Sequence, residues 1–404
     1  MDTITHGIAG ALIAKAAFKG DDLFTSGPIN KRRVITWSLM LGAIFPDSDV
    51  LRDFLSRDPM LMVTWHRSIT HSLLCLPIWT LLLAALTRAI CRWRKWEAPS
   101  YPALCSIWAV GLLSHIFLDL VTTFGTMIWS PFKWSRPAWD ILFILDFSFT
   151  GILLIPQLLA WTYEHPEHLR RRATIMWLIF TPVPFLISRI AAIVGAPTSN
   201  DVIVVATVLF AALFLLPAIR GWGLRIPYVT WNRAGFALAT AYLLAATFAH
   251  QQALQRIQKF AVTQNIEVQS IAALPFPPSL WHWDGLVLAP RGVYEVRMDL
   301  SDVLYSRLAQ KADPPDAPPI EHTYYPEAPD NLFIEKARSL LEVQKFFWFA
   351  RFPVTRFHRE GSDAVVEFLD VRFPQIRHDR PPSFEYRVRF SAEGDVRTQG
   401  WVRK

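Results

Sequence analysis

Eight aspartates and histidines fall in four groups within the first 120 residues, each inside or beside apolar sequence. Asp2 and His6 open the chain. Asp47 and Asp49 lie in Phe45-Pro46-Asp47-Ser48-Asp49, and His66 and His71 in Trp65-His66-Arg67-Ser68-Ile69-Thr70-His71-Ser72. His115 and Asp119 lie in Ser114-His115-Ile116-Phe117-Leu118-Asp119. Ionisable groups in apolar segments are costly, so they mark function by default. Imidazole nitrogen with carboxylate oxygen suits Zn²⁺ and similar divalent ions, and a carboxylate can bridge two of them. Spacings of four put Asp2/His6 and His115/Asp119 each on one helix face. Asp47 and Asp49, two apart after a proline, fit a turn or an extended segment. His66 and His71, five apart, would diverge by about 140° on a straight helix. The spacing therefore predicts His71 at a helix start, capped by Ser68 or Thr70, with His66 in the preceding loop. Singly, each group has an ordinary reading: a solvated terminus, turn carboxylates, interfacial histidines, an interhelical hydrogen bond.

The elements that must position these groups belong to a membrane protein. Of 404 residues, 52% are hydrophobic, 13% aromatic and 19% charged, and mean hydropathy is +0.24. This composition excludes intrinsic disorder, collagen-like repeats and a disulfide-rich secreted scaffold. Cys75, Cys91 and Cys105 show no metal-binding spacing. Stretches near 70–90, 103–121, 141–163, 174–194, 202–219 and 234–250 are long enough to cross a bilayer, which takes about 20 apolar residues. Two shorter ones, 5–18 and 34–46, are marginal. The expected architecture is mainly α: a polytopic bundle of about six to eight membrane helices over 1–250, then a small α+β domain over 251–404. No signal-peptide pattern opens the chain.

The net charge of +7 lies wholly in residues 1–250, with 21 Lys+Arg against 14 Asp+Glu, while the tail holds 20 of each. This is a topology signal and not a nucleic-acid footprint. Fourteen basic residues (Lys19, Lys31, Arg32, Arg33, Arg88, Arg92, Arg94, Lys95, Arg170–Arg172, Arg220, Arg225, Arg233) fall on one side and five (Arg52, Arg57, Arg67, Lys133, Arg136) on the other. The positive-inside rule makes the first side cytoplasmic. Eight crossings then put both termini and the tail outside, and all four Asp/His groups at the outer leaflet. The charge count knows nothing of metals, so this shared sidedness is independent support for one common site.

In the tail, 284–300, 363–373 and 384–390 alternate as strands do. A Pro-rich loop over 314–329 precedes an amphipathic helix at 331–349, and Glu393-Gly394-Asp395 reads as a turn. Leu340, Leu341, Phe347 and Trp348 form an apolar stripe fit for the tail's core. His282, His322, His358 and His378 are not at ligand spacing, and His165 and His168 read as a solvated loop. Trp129, Trp134 and Trp139 suit an interfacial belt. Asp146 and Arg189, within apolar stretches, are candidates for pairing with other helices.

In these motifs the sequence resembles the YdjM-like inner-membrane metal-dependent hydrolases of bacteria. The resemblance rests on Asp2/Thr5-His6, Pro46-Asp47-Ser48-Asp49, His66-Arg67-Ser68-Ile69-Thr70-His71-Ser72, and His115 to Asp119 followed by Thr122-Thr123-Phe124-Gly125-Thr126. It covers roughly residues 1–135 and matches nothing in the tail. More remotely, the helical His-xxx-Asp pattern is similar to the zinc-dependent phospholipase C and P1 nuclease group. A later His-xxx-Glu pair of that group is missing here, so one or two ions are expected and not three. The resemblance implies a bacterial inner-membrane hydrolase; the multi-pass topology and the extracytoplasmic tail are expected from the apolar stretches and the loop charges.

The expected function is hydrolysis of a phosphoester in a lipid or lipid-linked substrate at the outer leaflet. One or two divalent ions, zinc first, would lower the pKa of water to about 7. His6, Asp47, Asp49, His66, His71, His115 and Asp119 are the candidate ligands, Asp49 or Asp2 a general base, and Arg67 a phosphate-binding group. Two alternatives come from other classes: a metal transport or sensing station, and a membrane scaffold with structural histidines and a partner-binding tail. There is no His-Glu-x-x-His and no Gly-x-Ser-x-Gly, which sets aside zinc proteases and serine hydrolases.

Overall fold

The computed structural model describes all residues except 18–29, 57, 59, 194–199, 302–320, 374–383, 403 and 404. Lys19, Arg57, His378 and the first part of the Pro-rich loop lie outside the described residues. The helical half comprises α1 (Thr3–Ala17), α2 (Lys31–Ile44), two short helices α3 (Val50–Leu55) and α4 (Leu61–Thr64), then α5 (Leu76–Arg94) and α6 (Tyr101–Leu120). It continues with α7 (Phe147–Tyr163), α8 (Leu169–Phe180), α9 (Val183–Ile193), α10 (Asn200–Ile219) and α11 (Tyr228–Thr263).

Six to eight crossings are not reached. Among the described residues three helical segments have the length and composition to cross a membrane: Lys31–Arg52, Leu76–Arg94 and Tyr101–Leu120. The stretch at 174–194 is divided between α8 and α9 around Pro182, because a proline supplies no backbone N–H to continue a helix. The stretch at 141–163 becomes helical only at Phe147, after the N-cap Asp146 accepts from the backbone N–H groups of Ser148 and Phe149. That leaves α7 shorter than a full crossing.

Small residues set the packing around the site. Gly42 of α2 and Gly111 of α6 face each other so closely that a Cβ on Gly111 would lie 2.8 Å from the Leu39 carbonyl. Gly10 of α1 meets the same carbonyl, with a would-be Cβ at 2.7 Å. α1, α2 and α6 thus come into backbone contact, and α7 and α11 close on α1 through Leu12, Phe149, Leu153, Ala239 and Tyr242. Asp146 is taken up here: Tyr242 Oη donates to it at 2.8 Å and the Ser279 backbone N–H at 3.2 Å. It is a structural knot between α7, α11 and the tail.

The tail holds two four-stranded antiparallel meanders. β1 (Ser270–Phe276), β2 (His282–Ala289), β3 (Gly292–Asp299) and β4 (His322–Pro326) form the first, in that order. β5 (Pro353–Glu360), β6 (Asp363–Asp370), β7 (Glu385–Phe390) and β8 (Val396–Trp401) form the second. The strand expected over 284–300 is a hairpin, with Ala289 paired to Gly292, and β4 occupies part of the expected Pro-rich loop. The helix expected at 331–349 is two, Leu332–Arg338 and Leu341–Phe349. Their buried side is Ile334, Ala337, Val343, Phe346 and Phe349, whereas Leu341 and Trp348 are exposed.

α11 joins the two halves. Ala239, Tyr242 and Ala246 belong to the bundle core, while Ala249, Ala253, Ile257 and Phe260 pack under the first sheet. A boundary drawn at residue 250 falls inside this helix. The first sheet's other face meets the second sheet through Leu274, Leu286, Val293, Phe352 and Val354. The core under the second sheet also takes in Met60, Val63 and Phe124 of the helical half.

Candidate metal centre

The close approach of α2 and α6 brings the Ala43 carbonyl to His115, whose Nδ1–H donates to it at 2.7 Å. Pro46 then opens a 3-10 turn over Phe45–Asp49. The turn sets Asp47 Oδ1 3.8 Å from Nε2 of His71 and Asp49 Oδ2 3.5 Å from Nδ1 of the same ring. His71 does not start a long helix as expected. It ends a 3-10 turn, Ile69–His71, and α5 begins later, where Pro77 occupies its first turn.

One donor atom each from Asp47, His71, His115 and Asp119 lies within 4.8 Å of every other. His71 Nε2 is 3.0 Å from His115 Nε2 and 3.2 Å from Asp119 Oδ2. His115 Nε2 is 3.4 Å from both Asp47 Oδ1 and Asp119 Oδ2. Donors bound at about 2.0–2.1 Å around a tetrahedral ion stand about 3.3–3.4 Å apart; the four separations of 3.0–3.4 Å lie near that value, and Asp47 stands wider from His71, at 3.8 Å.

The surrounding hydrogen bonds determine which atoms face inward. His115 spends its proton on Ala43 O, leaving Nε2 a bare lone pair. Thr70 Oγ1–H donates to Asp49 Oδ2 at 3.2 Å and so accepts from His71 Nδ1–H at 3.0 Å, which leaves His71 Nε2 bare as well. Asp119 Oδ1 accepts from Arg67 Nη2 at 2.9 Å and from the Met1 amino group, whereas buried Oδ2 accepts no hydrogen bond from the described residues. Asp47 Oδ2 accepts from Thr3 Oγ1 at 2.5 Å, with Oδ1 turned inward. Four acceptors converge without a donor among them. A cation relieves that repulsion, and hydrogen bonds from the outer layer orient the ligands as in metal sites generally.

The remaining predicted residues form that outer layer. Asp49 accepts from His66 Nδ1 at 2.9 Å and from the Arg67 backbone N–H at 2.9 Å, so both its oxygens are engaged. His6 stacks on His115 with centroids 3.7 Å apart, its Nε2 3.1 Å from Asp119 Oδ1. Asp2 caps α1 by accepting from Thr5 N–H and Oγ1–H. Arg67 is buried, with a left-handed φ of 61°, and its guanidinium is committed to Asp119 and to Thr122 Oγ1. The Asp47 side chain is 11% exposed and that of His66 17%, against none for His71, His115 and Asp119. The site therefore meets the surface at Asp47 and His66. Thr3 and the Ala43 carbonyl carry no signal in the sequence, because a lone hydroxyl or carbonyl has no pattern of its own; Thr122 stands in the segment after Asp119 that the resemblance includes.

Apolar helices that close two histidines and two aspartates about one point make this a membrane protein with a candidate metal-binding cluster. The YdjM inner membrane protein family matches residues 1–222, more than half of the chain, and the chain belongs to that family. The match takes in every residue of the cluster and none of the two sheets. Neither a curated protein nor a solved structure matches the chain, so the remoter likeness to phospholipase C and P1 nuclease rests on the His-xxx-Asp pattern alone.

Proposed function

We propose that the protein is a membrane-embedded, metal-dependent hydrolase acting on a phosphoester of a lipid or lipid-linked substrate at the outer leaflet. The observation that carries this reading is the convergence of four bare acceptors from Asp47, His71, His115 and Asp119. A divalent ion held there, zinc first, supplies Lewis acidity and makes water acidic enough to react near neutral pH. Asp49 holds the Nδ1–H of His66, so His66 Nε2, at the exposed edge, takes a proton from the attacking water and returns one to the leaving alcohol. Arg67 balances the charge of Asp119. In the segments that carry Thr3, Asp49 and His66, Ile4, Leu51, Leu55 and Met62 are exposed apolar side chains, which suits lipid arriving sideways. By charge bias the site and the sheets face the extracytoplasmic side of the bacterial inner membrane.

The test is metal content by mass spectrometry on detergent-purified protein beside His115→Ala, followed by hydrolysis of phospholipids and lipid phosphates. One or two equivalents of zinc lost in the variant, with activity lost in parallel, is the expected result. Absence of metal from the wild type even after reconstitution would sink the reading. A second reading has one observation in its favour: four protein donors fill a tetrahedral shell, the pattern of a structural or sensing ion. The absorption of the Co²⁺-loaded protein separates the two. A closed four-coordinate spectrum that ignores added phosphate supports the second, and a spectrum shifted by phosphate supports the hydrolase.

A further inference from the structure

The tail lies outside the matched family segment, yet its second helix and the chain ends flanking β6 and β7 pack against the loops beside the candidate metal centre. Arg136, in the loop after α6, donates from Nη1 to Val63 O at 2.5 Å and from Nη2 to His66 O at 3.2 Å and Gly125 O at 3.3 Å. Among the described residues it makes no ion pair. Its guanidinium lies 4.7 Å from the Phe124 ring, 5.3 Å from Phe349 and 5.9 Å from Trp348. Phe124 in turn packs on Phe349, Phe373 and Phe384 of the tail, and its ring is 5.6 Å from that of His66. Arg372 of the tail adds a bond to Thr123 O at 3.2 Å.

Burial, with Arg67 and Arg372 nearby, pushes the Arg136 guanidinium down to about 9. Asp119 and Asp49 oppose this from beyond ion-pair distance; a buried cation without a paired carboxylate among the described residues is costly, so its bonds must serve something. They close on the His66–Arg67 segment, where Arg67 holds a left-handed φ that a side chain keeps only when its surroundings fix it. From there the Arg67 N–H reaches Asp49 and the Arg67 guanidinium reaches Asp119.

We propose that the C-terminal sheets hold the metal centre in shape, with Arg136 as the positioning residue that links them to His66, Arg67 and through these to Asp49 and Asp119. This rests on the metal reading of the cluster. The test loads full-length, detergent-purified protein with Co²⁺ and compares wild type, Arg136→Met, Arg136→Lys and Arg338→Met. Arg338 pairs with Glu327 and Asp330 within the tail, so its variant loosens the tail without touching Phe124. Arg136→Met is expected to weaken Co²⁺ binding about 10- to 100-fold and to change the Co²⁺ absorption, Arg136→Lys to recover part of both, and Arg338→Met to match wild type at equal loss of Tm. Folded Arg136→Met with wild-type affinity and spectrum would overturn the proposal, as would an equal loss in Arg338→Met. If Arg136→Met does not fold, Phe124→Leu is judged by the same criteria. A wild type that binds no Co²⁺ overturns the metal reading itself, a separate failure.

Discussion

At the scale of single residues, Asp119 and Asp47 offer the same chemistry in different surroundings, and that difference can be measured. Asp119 is fully buried and neutralises Arg67. Asp119→Asn therefore removes a candidate ligand and strands a buried cation, and breaking such a pair costs about 3–5 kcal/mol. Asp47 lies at the exposed edge and accepts from Thr3 Oγ1. Asp47→Asn is expected to lose the ion and keep the fold. Metal analysis and thermal melts on the two variants check this; equal destabilisation would mean that Arg67 does not depend on Asp119. Chelation adds a second check, since an ion that binds only the folded state raises Tm. A chelator should lower the Tm of wild type and of His66→Ala, whose side chain lies outside the four-atom cluster, and leave that of Asp47→Asn unmoved. All four residues of the cluster were legible as candidates, because four-residue spacing and a proline-led turn are visible in sequence. Their separation from His6, Asp49 and His66 was not, because it depends on which ring nitrogen Thr70 and Ala43 engage.

At the scale of elements, glycines decide how near the helices carrying those ligands can come. Gly111 lies one turn before His115, and a methyl group there would meet the Leu39 carbonyl at 2.8 Å and Gly42 Cα at 3.0 Å. Backbone cannot yield as a flexible side chain can, so Gly111→Ala must push α2 from α6. Overpacking of this kind costs about 1–3 kcal/mol. The displacement also draws the Ala43 carbonyl away from His115 Nδ1, so metal affinity should fall together with Tm. Gly221→Ala, where no atom of the described residues lies within 4 Å of the added carbon, tests only the cost of a left-handed φ and should leave metal binding alone. Equal metal affinity in wild type and Gly111→Ala would show that the α2–α6 spacing does not control the site. Composition made the apolar helices legible but overcounted the crossings, since apolar content alone does not show where Pro182 divides a helix or where Asp146 starts one.

At the scale of the molecule, the sidedness read from loop charges and the contacts in the structure agree on one point: the ligand groups and the sheets share an end of the bundle. Phe124 against Phe349 and Arg372 against Thr123 put them there, pairings across more than 200 residues of chain that no local pattern encodes. The strands of β6 and β7 were legible by alternation, whereas β1 and β5 were not, because their apolar and polar positions make sense only against α11 and the facing sheet. Asp284 sits in that layered packing. It shares a face of the first sheet with Leu274 and Leu286, the face that meets the second sheet. Burial and the nearby Glu295 raise its carboxyl to about 7, with Arg297 opposing. An unfolded aspartate titrates near about 3.9, so between these values the folded chain holds a proton that the unfolded chain releases. Stability from this group is complete below the lower value and is lost as pH rises through about 7. Asp284→Asn keeps the neutral form at every pH. Its Tm should equal that of wild type at about pH 3, below both values, and exceed it by a margin that grows up to about pH 8, and because α11 runs unbroken from bundle to sheet, the gain should appear in one transition. Parallel melting curves for the two proteins at both pH values would place the Asp284 carboxylate in contact with water and not between the sheets.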